Sequence, residues 1–198
     1  MNLEVWTPET EQLKTRTDAY MKLRMGEDWR TVWEPSPEMY RLKAMLRRED
    51  RCFLMTAGEL TGGNAGGTWA GTMTEELYRD AWGTALLDAG RTLLFEELFI
   101  DDRRCDEKPD LSGPGLGGIP NETMRGLYEA LEGWRIGMEI NDSFVLIPDK
   151  SFGGWFETTE ISRGRRGQGK GMCGRIDHCH PGIGCQFCIN NQKRLGNE

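Results

Sequence analysis

The stretch CGRIDHCHPGIGCQFCINN, residues 173–191, carries the side chains best suited to chemistry. It holds four of the chain's six cysteines and both of its histidines. Thiolates and imidazoles are the usual donors to tetrahedral Zn²⁺, and the Cys185-x-x-Cys188 spacing lets one turn present two sulfurs to the same ion. The sequence therefore predicts a zinc site with Cys185 and Cys188 among its ligands.

The other two ligands come from four candidates that lie upstream of the Cys-x-x-Cys pair. Cys173 with Cys179 gives an all-thiolate site, whereas His178 or His180 in place of Cys179 gives three thiolates and one imidazole. In an extended segment Cys179 faces away from both histidines, so an all-thiolate site leaves the imidazoles free. Reduced structural thiols or a redox pair are the alternatives to zinc.

The beginning of the chain bears on whether these cysteines form disulfides. MNLEVWTPETEQ has neither the basic flank nor the apolar core of a signal peptide, and no apolar run is long enough to cross a bilayer. The sequence thus predicts an intracellular protein, cytoplasmic or nuclear and not secreted, with no membrane partner. In a reducing compartment clustered cysteines favour metal over cross-links.

Charge is distributed unevenly along the chain. Residues 163–198 contain seven basic and two acidic side chains, so their net charge is +5. The net charge of the whole chain is −7, so the remaining 162 residues carry −12. An acidic body repels a polyanion and a basic tail attracts one, so we expect RNA or DNA to contact the tail and a protein partner to contact the body. The predicted nucleic-acid contacts are Arg163, Arg165, Arg166, Lys170 and Arg175.

The segments IDHCH and CQFCIN together resemble the His-metal-finger (HNH) core of recombination endonuclease VII-type nucleases. In that family an Asp-His pair on a β-hairpin is followed by a Cys-x-x-Cys and an Asn on a helix. The resemblance implies that Asp177 and Asn190 bind a catalytic Mg²⁺, that His178 is the general base, and that Cys185 and Cys188 form half of a structural zinc site. It covers about 20 residues of the 198.

The sequence divides into three parts and allows three classes of function. An acidic body spans residues 1–161, a basic Gly/Arg linker 162–172 and a Cys/His zinc module 173–198. A non-catalytic zinc-binding, nucleic-acid-associated protein fits all three parts best. A metal-dependent nuclease is the alternative, and a purely protein-binding adaptor leaves the basic linker unexplained.

Helix signals are frequent in the body. Thr7-Pro8-Glu9 starts a helix that Gly26 stops, and Ser36-Pro37-Glu38 repeats the start before an apolar stripe formed by Met39, Leu42, Met45 and Leu46. Thr74 caps a third helix that we expect to end at Gly90.

Two further segments complete the helix prediction. Residues 92–100 fit either a strand or a helix, with Glu96 and Glu97 on a solvated edge. Asn121 is expected to cap a helix whose apolar side extends to Trp134.

Strand signals complete the prediction for the body. Residues 52–55 indicate a buried strand, 136–147 a hairpin turning at Asn141-Asp142, and 155–159 a further strand. The Gly-rich segment 58–71 is expected to be a flexible loop or a bulged edge strand, and the segment 101–120 a long exposed loop. The predicted fold class is α+β, with helices packed on a small antiparallel sheet and a C-terminal zinc-binding tail.

Overall fold

A computed structural model describes residues 2–58, 71–99, 111–116 and 119–156. Within these ranges a five-stranded antiparallel sheet has the strand order β1-β2-β3-β7-β4, and β5 pairs with β6 in a separate hairpin. The strands are β1 (Glu4–Trp6), β2 (Lys43–Arg47), β3 (Cys52–Thr56), β4 (Leu111–Ser112), β5 (Glu139–Ile140), β6 (Leu146–Ile147) and β7 (Ser151–Phe156). The helices are α1 (Thr10–Met25), α2 (Met73–Phe99) and α3 (Thr123–Ala130).

Helix α1 forms where the sequence predicts it, with a different capping residue. The Glu9 carboxylate accepts hydrogen bonds from the N–H groups of Glu11 at 3.1 Å and Gln12 at 2.8 Å. Gly26, at φ 92°, ends the helix and donates its N–H to the Lys22 carbonyl at 2.9 Å. A carboxylate at the first turn is also attracted to the positive end of the helix dipole, which stabilises the helix.

Helix α2 is longer than the sequence suggests. Its N-cap is Thr72 and not Thr74: the Thr72 hydroxyl accepts from the Glu75 N–H at 3.2 Å, and Glu75 accepts from the Thr72 N–H at 2.6 Å. The expected stop at Gly90 is wrong, because the helix continues to Phe99. A Cβ at Gly90 would lie 2.7 Å from Leu42, so this glycine permits close packing of α2 against the sheet.

The helix predicted after Ser36 is also wrong. Only a 3₁₀ turn forms at Pro37–Met39, and the chain then enters β2. The apolar residues of this segment fit the helical period and also the two-residue period of a strand. In the structure Ala44 and Leu46 face one side of the sheet, and Met45 faces the other. Pairing of β2 with strands on both of its sides, β1 and β3, decides in favour of the strand.

The sheet is covered on both faces. Phe53 and Met55 of β3 belong to a large apolar cluster with α1 and α2, whereas Cys52 and Leu54 belong to a smaller cluster on the opposite face. All five residues of β3 are buried. The buried strand predicted at residues 52–55 is therefore confirmed, and its uninterrupted apolar run is explained by burial on both sides.

The smaller cluster is formed by α3, a 3₁₀ turn at Gly133–Ile136 and the β5–β6 hairpin. The hairpin prediction is confirmed: the Asn141 side chain accepts from the N–H groups of Ser143 at 2.9 Å and Val145 at 3.0 Å. Helix α3 ends at Ala130, so Trp134 is not on its apolar side as predicted. Trp134 lies in the 3₁₀ turn with 54% of its surface exposed.

The coarse fold prediction is confirmed, since three helices and a small antiparallel sheet make an α+β body in the described ranges. The strand predicted at 155–159 begins earlier, at Ser151, and residues 157–159 lie outside those ranges. So do residues 59–70 of the Gly-rich segment and residues 101–110, 117 and 118 of the predicted loop. Within that loop the prediction is wrong at Leu111–Ser112, which form β4 because they pair with β7. No described helix is long and apolar enough to span a membrane.

Two glycines offer a matched test of packing around β7. A Cβ at Gly153 would lie 2.5 Å from the Leu54 side chain and 3.2 Å from the Phe53 carbonyl, whereas a Cβ at Gly126 on α3 meets nothing within 4 Å. We expect Gly153→Ala to lower the free energy of unfolding by about 1–3 kcal/mol. Gly126→Ala should raise it by about 0.5–1 kcal/mol, because alanine favours helix. Urea unfolding of both variants measures the difference, and equal effects would contradict the close approach of β7 to β3 side chains.

Candidate functional site

The residues predicted to carry chemistry lie outside the described ranges. These are the proposed catalytic Asp177, His178 and Asn190, the zinc ligands Cys173, Cys179, Cys185 and Cys188 with His180, and the basic residues Arg163, Arg165, Arg166, Lys170 and Arg175.

The described part of the chain holds no group of three or more His, Cys, Asp or Glu side chains that could bind a metal ion. Its one cysteine, Cys52, is buried in β3, and burial raises the pKa of the thiol, with Asp50 adding to the effect and Arg47 opposing it. Because the thiolate is the reactive form, Cys52 is a poor nucleophile and a poor metal ligand. It has a packing role.

One polar cluster in the described part of the chain joins α1 to the segment before β2. The Tyr40 hydroxyl donates to Asp18 Oδ1 at 2.7 Å, and Arg30 Nη2 donates to Asp18 Oδ2 at 2.7 Å. Arg30 also donates to the Tyr40 hydroxyl at 3.1 Å. Asp18 is thus held by one donor at each oxygen, and charge-assisted hydrogen bonds of this kind are stronger than neutral ones.

Tyr40 is protonated at all physiological pH values. Burial is the main reason that its pKa is raised above the ordinary value, and the Asp18 carboxylate adds to this, while Arg30 opposes it. The buried N–H of Trp82 interacts with the same hydroxyl and lowers the pKa, yet the contact falls short of a regular hydrogen bond. A tyrosine held in this state is a hydrogen-bond donor and not a general base.

Aromatic rings pack around Tyr40 and bury the cluster on one side. Tyr40 and Trp33 both pack edge-on against Trp82 of α2, with ring centroids 5.3 and 5.7 Å away. Trp82 is fully buried and Tyr40 is 3% exposed. The cluster therefore fixes the chain between α1 and β2 onto the helix pair, which is a structural function.

A second polar cluster lies at the C-terminal end of α2. Glu97 accepts from Trp6 Nε1 at 2.6 Å and from Arg48 at 2.5 Å, and Arg48 also pairs with Glu4 at 2.6 Å. Burial alone would raise the pKa of Glu97, but hydrogen bonds from Arg48 and Trp6 outweigh it and lower the pKa. Glu96 and Glu97 are both exposed, as predicted for a solvated edge, and each pairs with an arginine there, Glu96 with Arg16 at 2.7 Å.

Sequence reasoning missed both polar clusters. Their partners are separated by 10 to 91 residues, and no local spacing marks them. The signal in the sequence was the presence of Trp and Tyr residues in a chain rich in charged ones. The N–H of a buried Trp or the O–H of a buried Tyr needs a hydrogen-bond partner, and a charged side chain can supply it. These clusters hold the fold together and do not assemble an active site within the described ranges.

Comparison with known proteins gives no family for this chain. No protein-family model matches it, and neither a curated protein nor a solved structure does.

The Asp18–Tyr40 hydrogen bond can be tested by removing one hydroxyl. Tyr40→Phe leaves a carboxylate oxygen without its donor, so we expect the free energy of unfolding to fall by about 1–3 kcal/mol. Tyr78→Phe is the matched control, because its hydroxyl makes no hydrogen bond to the described residues. Chemical denaturation at pH 7 compares the two, and a decrease in Tyr78→Phe as large as in Tyr40→Phe would contradict the assignment.

Proposed function

We propose that this chain is a zinc-binding, nucleic-acid-associated protein with an acidic body for protein interaction and a basic, zinc-containing C-terminal tail. The observation that carries the proposal is the Cys/His cluster of residues 173–188 directly after the basic linker 162–172. Zinc donors and phosphate-binding side chains in one short segment are typical of small nucleic-acid-binding modules. An intracellular location, cytoplasmic or nuclear, belongs to the same proposal.

The donor set fits zinc by its chemistry. Four thiols and two imidazoles lie between residues 173 and 188, which is more than the four ligands that a closed structural site needs. Zinc bound there supplies folding free energy to a segment too short to build an apolar core. Metal binding and formation of the module are then one event.

The zinc proposal predicts a stoichiometry. The reduced protein should contain about one Zn²⁺ per chain, and Cys185→Ala or Cys188→Ala should lose it because each removes one of four ligands. Cys52→Ala is the control and should keep its zinc, since Cys52 is buried in the sheet. Elemental analysis of the purified variants is the measurement. Zinc content that survives both tail substitutions would refute the site.

The nucleic-acid proposal predicts salt-dependent binding by the linker. Arg165→Ala/Arg166→Ala should weaken binding and reduce the slope of log K against log salt by about 0.7–0.9 for each phosphate interaction that the substitutions remove. Arg41→Ala/Lys43→Ala removes the same charge from exposed positions of the body and should have less effect. Titrations of labelled single-stranded RNA and duplex DNA at several salt concentrations measure both. Equal effects of the two double variants would place the binding surface elsewhere.

A metal-dependent nuclease is the second candidate function. It is favoured by Asp177-His178 followed by Cys185-x-x-Cys188 and Asn190, the pattern that resembles the His-metal-finger core. Under this hypothesis neutral His178 takes the proton of the attacking water, and Asp177 and Asn190 hold Mg²⁺. Bound Mg²⁺ would polarise the scissile phosphate.

The nuclease candidate is tested by one substitution that must spare zinc. His178→Ala should abolish Mg²⁺-dependent cleavage of DNA or RNA while zinc content stays at about one per chain, because removal of the base typically costs about 10²–10⁴-fold in rate. His180→Ala is the neighbouring control and should cleave. If His178→Ala loses zinc instead, His178 is a ligand, and if neither wild type nor variant cleaves, the protein is a binding module.

A further inference from the structure

The 3₁₀ turn after α3 presents an aromatic surface to solvent. Trp134 is 54% exposed, and its ring meets the ring of Tyr128 edge-on with centroids 5.8 Å apart. The turn packs against the sheet, because Gly133 is buried between the Tyr128 ring and Leu54 of β3. The backbone of the turn is therefore anchored, and about half of the Trp134 surface is open to a ligand.

Three carboxylates flank this pair of rings along the chain. Glu139 is close enough to Tyr128 for its charge to raise the pKa of the phenol, although burial contributes more. Glu129 and Glu132 bound the turn on its N-terminal side; Glu132 pairs with Arg135 at 3.1 Å. Neither Glu129 nor Glu139 makes a salt bridge in the part of the chain that the structure describes. We name these five residues, Tyr128, Glu129, Glu132, Trp134 and Glu139, the aromatic–acidic patch.

A half-exposed indole packs against Tyr128, whose phenol feels the charge of the unpaired Glu139 carboxylate, and this arrangement favours one kind of occupant. The face of a tryptophan ring attracts guanidinium and ammonium groups, and nearby carboxylates add ordinary charge attraction. The complementary segment is one rich in Arg and Lys and poor in acids. Residues 162–171, SRGRRGQGKG, contain four basic side chains and no acidic one.

The last described strand ends close to the patch. Gly133 lies over Leu54, which pairs with Gly153 of β7, and β7 ends three residues later at Phe156, roughly 10 Å along the strand. Trp134 is therefore within roughly 20 Å of Phe156, the last described residue. Residues 157–162 can span roughly 20 Å when extended, so the basic segment begins within reach.

We infer that the basic segment 162–171 of this chain docks on the aromatic–acidic patch and is released when it binds nucleic acid. The docked arm shields its own charges, so the patch competes with phosphate for the same arginines. This competition rests on the proposed function, whereas the docking itself rests only on the patch and the segment.

Docking is tested in the full-length protein by zero-length carbodiimide cross-linking, which joins an amine to a carboxylate that it touches. Lys170 is the only lysine of the segment, so it should be found joined to Glu129, Glu132 or Glu139 by mass spectrometry. Mixing isotope-labelled and unlabelled protein separates links within a chain from links between copies. Trp134→Ala should reduce these links at least about twofold, and Trp134→Phe should restore them.

The control is Leu77→Ala, another exposed apolar side chain, which lies on the first turns of α2. It should leave the cross-links unchanged, and thermal unfolding confirms that both variants are folded. Links from Lys170 to other carboxylates, links mainly between copies, or equal yields in Trp134→Ala and wild type would each overturn the inference.

The competition has its own readout. Trp134→Ala and Glu139→Gln should raise affinity for nucleic acid by about two- to fivefold at low salt, because the arm no longer has to leave the patch before it binds. Glu76→Gln removes the same charge from an exposed site on α2 and should give a smaller increase. Cross-links without any nucleic-acid binding would refute the proposed function and support docking, whereas binding without cross-links would refute docking alone.

Discussion

Burial of β3 on both faces is the constraint on which the body depends. Its five residues are all removed from water, two of them facing α1 and α2 and two facing α3 and the hairpin. A strand in this position requires a covering layer on each side and a paired neighbour at each edge. The helix pair, the smaller layer and the return of β7 from far along the sequence all meet that requirement.

The helix pair on one face is held by polar contacts as well as by apolar packing. Arg16–Glu96, Tyr20–Thr92 and Arg24–Asp88 run along α1 and α2 in opposite sequence order, so the helices are antiparallel. Glu97 extends the series to β1 through Trp6 and to the turn after β2 through Arg48. The acidic body thus uses many of its charges internally, and the carboxylates left unpaired at the surface are the ones that a partner can contact.

The sequence allowed the fold class, α1, β3 and the hairpin to be predicted, because each has a local cause such as a cap, an apolar run or a turn. The errors occurred where a distant contact decides. The sequence of residues 43–47 is compatible with a helix and with a strand, and pairing with β1 and β3 decides for the strand. Gly90 has the sequence appearance of a helix stop, but its role is to allow close contact with Leu42. The proposed zinc donors were picked out by spacing alone, but their mutual geometry depends on chain direction over a few residues, which spacing does not determine.

The pairing of β7 with β3 has a consequence for synthesis on the ribosome. Thr56 pairs with Ser151, so the whole of residues 57–150 must be made before β3 gains its second neighbour. Until then a strand of apolar residues has a row of open backbone donors and acceptors at one edge, which is the feature that promotes aggregation of nascent chains. Late arrival of its partner strand leaves this edge of β3 open throughout the synthesis of residues 57–150.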